Sequence, residues 1–163
     1  MKTLGLLRHA KSDWGDPSLA DIDRPLNKRG QKAAAAMAPV LAESGFDLVF
    51  ASTARRVRET LEHAWDGPVE WREAIYGAGP SQLLEMAAGV AAGIERLLIV
   101  GHNPTMHFLA TRLAVHGDPA LLGALADKYP TGALALIDLP IDRWRDIEVG
   151  TGALRRFVRP RDL

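Results

Sequence analysis

The chain has no cysteine, which excludes a disulfide framework, a thiolate nucleophile and a cysteine-held zinc, and leaves nothing to argue for an oxidising compartment. It also has no net charge. Twenty Lys and Arg balance twenty Asp and Glu, so no overall field draws the protein to nucleic acid or an anionic membrane, and recognition has to be local. Long apolar runs are missing too. Leu4–Leu7 falls short of the ~7–15 residues of a secretory h-region, and the weakly polar run Met86–Ile94 falls short of the ~18–20 a membrane span needs. A cytoplasmic protein with no membrane or nucleic-acid partner is expected. Repeats, low-complexity tracts and long linkers are absent. Gly77-Ala78-Gly79 lacks the third glycine of a dinucleotide fingerprint, since Gln82 stands in its place, and there is no G-x-x-x-x-G-K-[ST] loop or G-x-S-x-G elbow. These gaps argue against a dinucleotide-binding enzyme, an NTPase and a serine hydrolase.

What is present is an ordinary globular composition, 47% hydrophobic and 25% charged over 163 residues, a length that suits one domain over 1–163. Apolar runs at Thr3–Leu7, Asp47–Ala51, Val69–Ile75, Arg96–Val100, Ala133–Leu139 and Asp146–Val149 read as strands. Between them, apolar positions recur at helical steps: Ala34, Met37 and Leu41; Val57, Leu61 and Ala64; Leu83, Ala87, Val90 and Ile94; Met106, Leu109, Ala110 and Leu113. The alternation predicts an α/β three-layer sandwich, a mostly parallel central sheet flanked by helices. The last two strands follow closely, so one sheet edge is expected to be antiparallel. In His116–Gly132, Asp118-Pro119 reads as a helix start, Ala120–Ala126 as a short helix and Tyr129–Gly132 as a turn. This stretch is a candidate lid or rim.

The chemistry sits where apolar runs end. Leu7-Arg8-His9-Ala10 closes the first run, and Val100-Gly101-His102-Asn103-Pro104 closes the fourth. In open α/β sheets, ligands bind beyond the carboxyl ends of the strands, where following helices aim their N–H groups. Ser52 reads as an N-cap before a helix Thr53–Trp65, and Asn103 as another, with Pro104 at the first helical position. Two helix N-termini facing one cleft suit a dianion. Arg55, Arg56 and Arg58 crowd the first of them, but successive helical residues point about 100° apart, so only one or two can reach a shared pocket. A guanidinium beside His9 disfavours the imidazolium and keeps the ring neutral and nucleophilic. His102 is placed to donate a proton-bearing nitrogen to a phosphoryl oxygen. His63 and His116 read as surface residues and His107 as lying on the polar side of its helix. A metal site of His9, His102 and His107 is the competing use, disfavoured because carboxylates in matching positions are missing. Arg155, Arg156, Arg159 and Arg161 read as a solvated basic terminus in preference to a docking patch.

Taken together, Leu7-Arg8-His9-Ala10-Lys11-Ser12, Arg24-Pro25-Leu26-Asn27-x-x-Gly30, Ser52-x-x-x-Arg56-x-x-x-Thr60, Gly101-His102-Asn103-Pro104 and the end Arg159–Leu163 resemble the histidine phosphatase superfamily, and within it the SixA-like phosphohistidine phosphatases. The resemblance implies a phosphoglycerate-mutase-like fold, no cofactor and no metal. It implies that His9 takes the phosphoryl group, that Arg8 and Arg56 hold its oxygens, and that His102 completes the pocket, with Ser52 and Asn103 as further substrate-binding residues. Glu73 lies where larger relatives carry a general acid and is the candidate for that role, against a rim charge paired with Arg72. An imidazole expelled from a phosphoramidate leaves more readily than an alkoxide, so an acid can be dispensed with. Lys11 and Asp13 are expected at the entrance. The expected substrate is a phosphohistidine-bearing protein. The alternatives are a small phosphorylated metabolite, handled by a phosphomonoesterase or mutase, and a non-catalytic phosphoanion-binding module.

Overall fold

The computed structural model describes residues 1–163. In chain order the elements are β1 (Lys2–Arg8), α1 (Lys28–Ser44), β2 (Leu48–Ala51), α2 (Arg55–Ala64), β3 (Glu70–Trp71), α3 (Pro80–Ala88), β4 (Arg96–Gly101), α4 (Thr105–Leu113), β5 (Ala114–Gly117), α5 (Pro119–Asp127), β6 (Leu134–Leu139) and β7 (Gly152–Val158). The seven strands form one sheet in the order β3-β2-β4-β1-β6-β7-β5. Strands alternate their side chains between faces, and the central ones are apolar on both. Leu4 and Leu6 of β1, with Leu97 and Ile99 of β4, enter a 24-residue core. Leu7, Leu98 and Val100 enter a 19-residue core on the opposite face. Helices α3, α4 and α5 contribute to the first core, and α1 and α2 to the second, which gives the expected three layers. Full burial of each such side chain contributes roughly 1.5–3 kcal/mol. No helix is long and apolar enough to cross a membrane.

Local signals place α1 well. The Asn27 side chain caps it, accepting from the Gly30 amide at 2.8 Å, and Gly45, at φ 66°, ends it in a left-handed conformation that a side chain would disfavour. Other expectations need correction. The strand expected over Val69–Ile75 is only Glu70–Trp71, followed by a 3-10 turn at Glu73–Ile75. Asp146–Val149 is not a strand: it begins on the last residue of the 3-10 turn Trp144–Asp146, whose buried Trp144 indole donates to Ile94 O at 2.7 Å. The true last strand is β7, in the segment read as a solvated terminus. Arg155 and Arg156 interrupt its apolar alternation, and a register shift at Leu136/Ile137 of β6 accommodates them. Arg155 pairs across the strands with Asp138 at 2.7 Å. β5, unrecognised in the sequence, pairs parallel to β7 at the edge. The antiparallel strand is therefore the internal β6, flanked by β1 and β7, and both sheet edges are parallel pairs.

Candidate active site

Register brings the two histidines together. Arg8 of β1 pairs with Gly101 of β4, and the His9 amide donates to Gly101 O at 3.1 Å, so His9 and His102 leave neighbouring strands at the same end. On the other side of β4, the Ser52 amide donates to Val100 O. Three adjacent strands thus deliver Ser52, His102 and His9 to one rim, with ring centroids of His9 and His102 5.3 Å apart. The turn after α5 covers this rim: the Gly132 amide donates to His9 O at 2.9 Å, and Tyr129 O accepts from Arg8 Nη1 at 2.9 Å and from Asn103 Nδ2 at 3.0 Å. Of the stretch expected as lid or rim, the Tyr129–Gly132 turn is rim, whereas α5 packs on the core through Leu125.

The imidazole tautomers follow from their partners. His9 Nδ1 lies 2.7 Å from Ala10 O; a carbonyl only accepts, so Nδ1 carries the proton and Nε2 keeps a free lone pair. Burial lowers the His9 pKa to about 3, with the charges of His102, Arg56 and Arg8 adding to it and the Ala10 bond opposing. The ring is neutral as expected, but removal from water is the main cause and Arg8 the smallest. His102 Nε2 is 2.8 Å from Ser52 Oγ, and its Nδ1 is 3.4 Å from Arg56 Nη2. A guanidinium only donates, so Nδ1 is the acceptor and the His102 proton faces Ser52. Burial, then the Arg56 charge, lowers the His102 pKa to about 4.

A cavity of about 280 Å³ opens over these rings, lined by Arg8, His9, Lys11, Ser12, Trp14, Arg24, Arg56, His102, Asn103 and Thr131. Its charged lining is cationic throughout. The Nε–H groups of Arg8 and Arg56 are buried without any hydrogen-bond partner, which costs roughly 1–3 kcal/mol for such a group. Burial and repulsion from Arg56 lower the Arg8 pKa. Of the three arginines on α2, only Arg56 lines the cavity: Arg55 is ion-paired with Glu59 at 2.6 Å, and Arg58 is exposed. An array of guanidiniums opposes a metal cation, and no three His, Asp or Glu are grouped to hold one. His107 is engaged elsewhere, its Nε2 lying 2.7 Å from Leu125 O.

Other expected residues stand differently. Ser52 does not cap α2, whose N-cap is Ala54; its Oγ accepts from the Ala54 amide at 3.2 Å and bonds His102. Asn103 precedes the N-cap of α4, which is Pro104, although its Oδ1 still accepts from the His107 amide at 3.3 Å. Lys11 lines the cavity; Asp13 does not. Glu73 is exposed on its 3-10 turn and lines neither this cavity nor the larger one beside it. That larger cavity, about 480 Å³, shares Arg56, His102 and Asn103 and runs along Tyr76–Gly79 and the start of α4.

The sequence did not single out Arg24, Asp21 or Trp14 as site residues. Segment 11–13 pairs with 25–27 through the Ser12–Leu26 bridge and carries Arg24 inward, 7% exposed, with Nη1 on Ser12 Oγ at 2.7 Å. Trp14, 75% exposed, stacks on its guanidinium at 3.5 Å. Asp21 ties the arginines together: Oδ1 accepts from Arg24 Nε and Oδ2 from Arg56 Nη2, each at 3.1 Å, and Tyr76 OH donates to Oδ2 at 2.6 Å. The Tyr76 bond, then the Arg56 guanidinium, holds the Asp21 carboxyl down at about 2.

Comparison with known proteins finds relatives over nearly the whole chain. The model of the histidine phosphatase superfamily (branch 1) matches residues 4–77. A candidate phosphohistidine phosphatase SixA from Agrobacterium tumefaciens is 30% identical, with 98% of both chains covered and a TM-score of 0.79. A like candidate from Nakamurella multipartitia is 29% identical, covering 98% of this chain and 96% of that one, with a TM-score of 0.85. The uncharacterised protein MT1313 of Mycobacterium tuberculosis is 39% identical over 160 residues, 95% of this chain and all of that protein.

Proposed function

Since the chain belongs to the histidine phosphatase superfamily, we propose that it is a metal-independent phosphatase that carries the phosphoryl group on His9 and takes it from phosphohistidine in a protein. The observation that carries this reading is the neutral, buried His9 ring, its Nδ1–H held by Ala10 O, beside two guanidinium Nε–H groups that have no partner. A phosphoryl dianion entering the cavity supplies acceptors for both. His9 Nε2 attacks phosphorus in line, the P–N bond to the substrate imidazole breaks, and that imidazole takes a proton from solvent water as it leaves. Water then attacks the phosphoryl group on His9, the P–Nε2 bond breaks, and inorganic phosphate departs with His9 neutral again. Arg8 and Arg56 offset the charge on the equatorial oxygens. His102 donates through Nδ1 only as the imidazolium, a form that the dianion's field favours and the empty site does not. Glu73, outside the cavity, has no part in this chemistry, which suits a leaving group that needs no strong acid.

The test is to trap the phosphoenzyme. Brief exposure to phosphoramidate or a phosphohistidine peptide, both imposed with chelator present, should label the wild-type protein with an acid-labile, base-stable phosphate that maps to His9. His9→Ala should lose both label and turnover while keeping its fold. Wild-type turnover in His9→Ala, or loss of wild-type activity with chelator, defeats the reading.

A further inference from the structure

A third cavity, about 200 Å³, adjoins the phosphoryl pocket and shares Lys11 and Thr131 with it. Its remaining charged walls are Arg29, Arg159 and Arg161, and no carboxylate lines it. Arg29 stands in the first turn of α1, where the helix dipole opposes a cation. Arg159 and Arg161 come from the C-terminal turn Pro160–Asp162 and its cap, which pack against α1. Of the four cations only Arg159 is ion-paired, to Asp162 at 2.9 Å. In a chain whose charges balance overall, three unpaired cations therefore converge beside a pocket that is already cationic. Their mutual repulsion is relieved when an anion joins them.

We infer that this cavity is a docking subsite for acidic side chains of the protein that presents the phosphohistidine. The inference rests on the phosphatase reading for its geometry: the phosphoryl group fills the first cavity, and an Asp or Glu a few residues along the same chain reaches the second across Lys11 and Thr131. The two cavities suit different anions. His9 and Arg56 in the first are 7% and 6% exposed, a desolvated setting for one compact dianion. Lys11, Arg29 and Arg161 are exposed, and cations in water contribute weakly each and mainly steer encounter. That suits a mobile acidic segment better than a second tightly held phosphate.

Three phosphohistidine peptides of equal length, with acidic, neutral or basic neighbours, test the subsite against wild-type protein and the Arg29→Gln/Arg161→Gln double variant, neither residue being part of the phosphoryl pocket. The wild-type KM for the acidic peptide should lie about fivefold below that for the neutral one, an advantage that shrinks with added salt. In the double variant that advantage should vanish with kcat kept, and phosphoramidate turnover should match wild type. Equal wild-type KM values for acidic and neutral peptides, or a loss in the variant that is as large on phosphoramidate, overturn the inference. Fluorescence anisotropy of a labelled, unphosphorylated acidic peptide separates it from the phosphatase reading. Should wild type turn over no phosphohistidine substrate, that reading fails, and the subsite is still decided: weaker peptide binding in the double variant supports it, and unchanged binding overturns it.

Discussion

Replacing His9 with asparagine should remove about 2 kcal/mol from the stability that the wild-type protein loses between pH 7 and pH 5. In the folded protein the His9 pKa is held at about 3 by burial, whereas in the unfolded chain it returns to about 6.5. Between those values the unfolded chain binds a proton that the folded one refuses. Stability is therefore highest above the unfolded pKa and falls as pH drops through 6.5 toward 3, at about 1.36 kcal/mol per pH unit. At pH 5 the chain is ~1.5 units into that window, which gives the ~2 kcal/mol. Asparagine carries an amide N–H at the place of Nδ1 and so keeps a donor for Ala10 O, but it cannot titrate. His102, held at about 4 with the same sign, remains in both proteins and largely cancels. The assay is urea unfolding of both proteins at pH 7 and pH 5 in phosphate-free buffer, comparing the change with pH and not the starting stability. Equal losses in the two proteins would refute the buried, neutral His9.

Two further substitutions separate packing from chemistry. A Cβ at Gly30 would lie 2.1 Å from Lys11 O, a backbone atom that cannot swing aside. Gly30→Ala should therefore lower urea stability by about 1–3 kcal/mol and, by pushing the Lys11 segment that lines the phosphoryl pocket, raise the KM for phosphoramidate. In contrast, the Tyr129 hydroxyl is buried between Leu6 O and the Ala135 amide, while the site uses only its backbone carbonyl. Tyr129→Phe should cost about 1–3 kcal/mol in thermal or urea unfolding with steady-state turnover nearly unchanged.

Legibility of the fold and site depended on how local each signal was. Arg8, His9, Gly101 and His102 stand at the ends of apolar runs, so their delivery to one rim could be read from strand ends alone; the register that seats them side by side agrees. Helical geometry narrowed the arginines of α2 and only the family resemblance singled out Arg56; in the structure Glu59 occupies Arg55 and Asp21 holds Arg56. Asp21 is 35 positions from Arg56 and outside any regular pattern, and Arg24 is turned inward by the non-local Ser12–Leu26 bridge. No local pattern reports such pairings. β7 was hidden because Arg155-Arg156 breaks the period-two pattern, the extra residue Arg155 being a bulge in β7 itself, since the adjacent Leu136 and Ile137 face Arg156 and Leu154; β5 was hidden because only Ala114 of its four residues is buried.

The electrostatics of the pocket run against what stability alone would select. Arg8, Lys11, Arg24 and Arg56 converge on two imidazoles, and the single carboxylate network nearby, centred on Asp21, holds Arg24 and Arg56 by one edge each. That leaves the Nε–H of Arg56, like that of Arg8, with nothing to donate to. A second carboxylate inside the pocket would satisfy these donors and stabilise the empty protein, but it would occupy the place where an oxyanion's charge is met. Asp21 instead pins the guanidinium from outside, so the fork is oriented before an anion arrives and little reorganisation is left for the moment of reaction. Burial first, and these guanidiniums after it, keep His9 and His102 neutral while the site is empty. In the proposed reaction a bound dianion would reverse that field, so the His102 imidazolium would become accessible only when a phosphoryl oxygen is there to accept from its Nδ1–H.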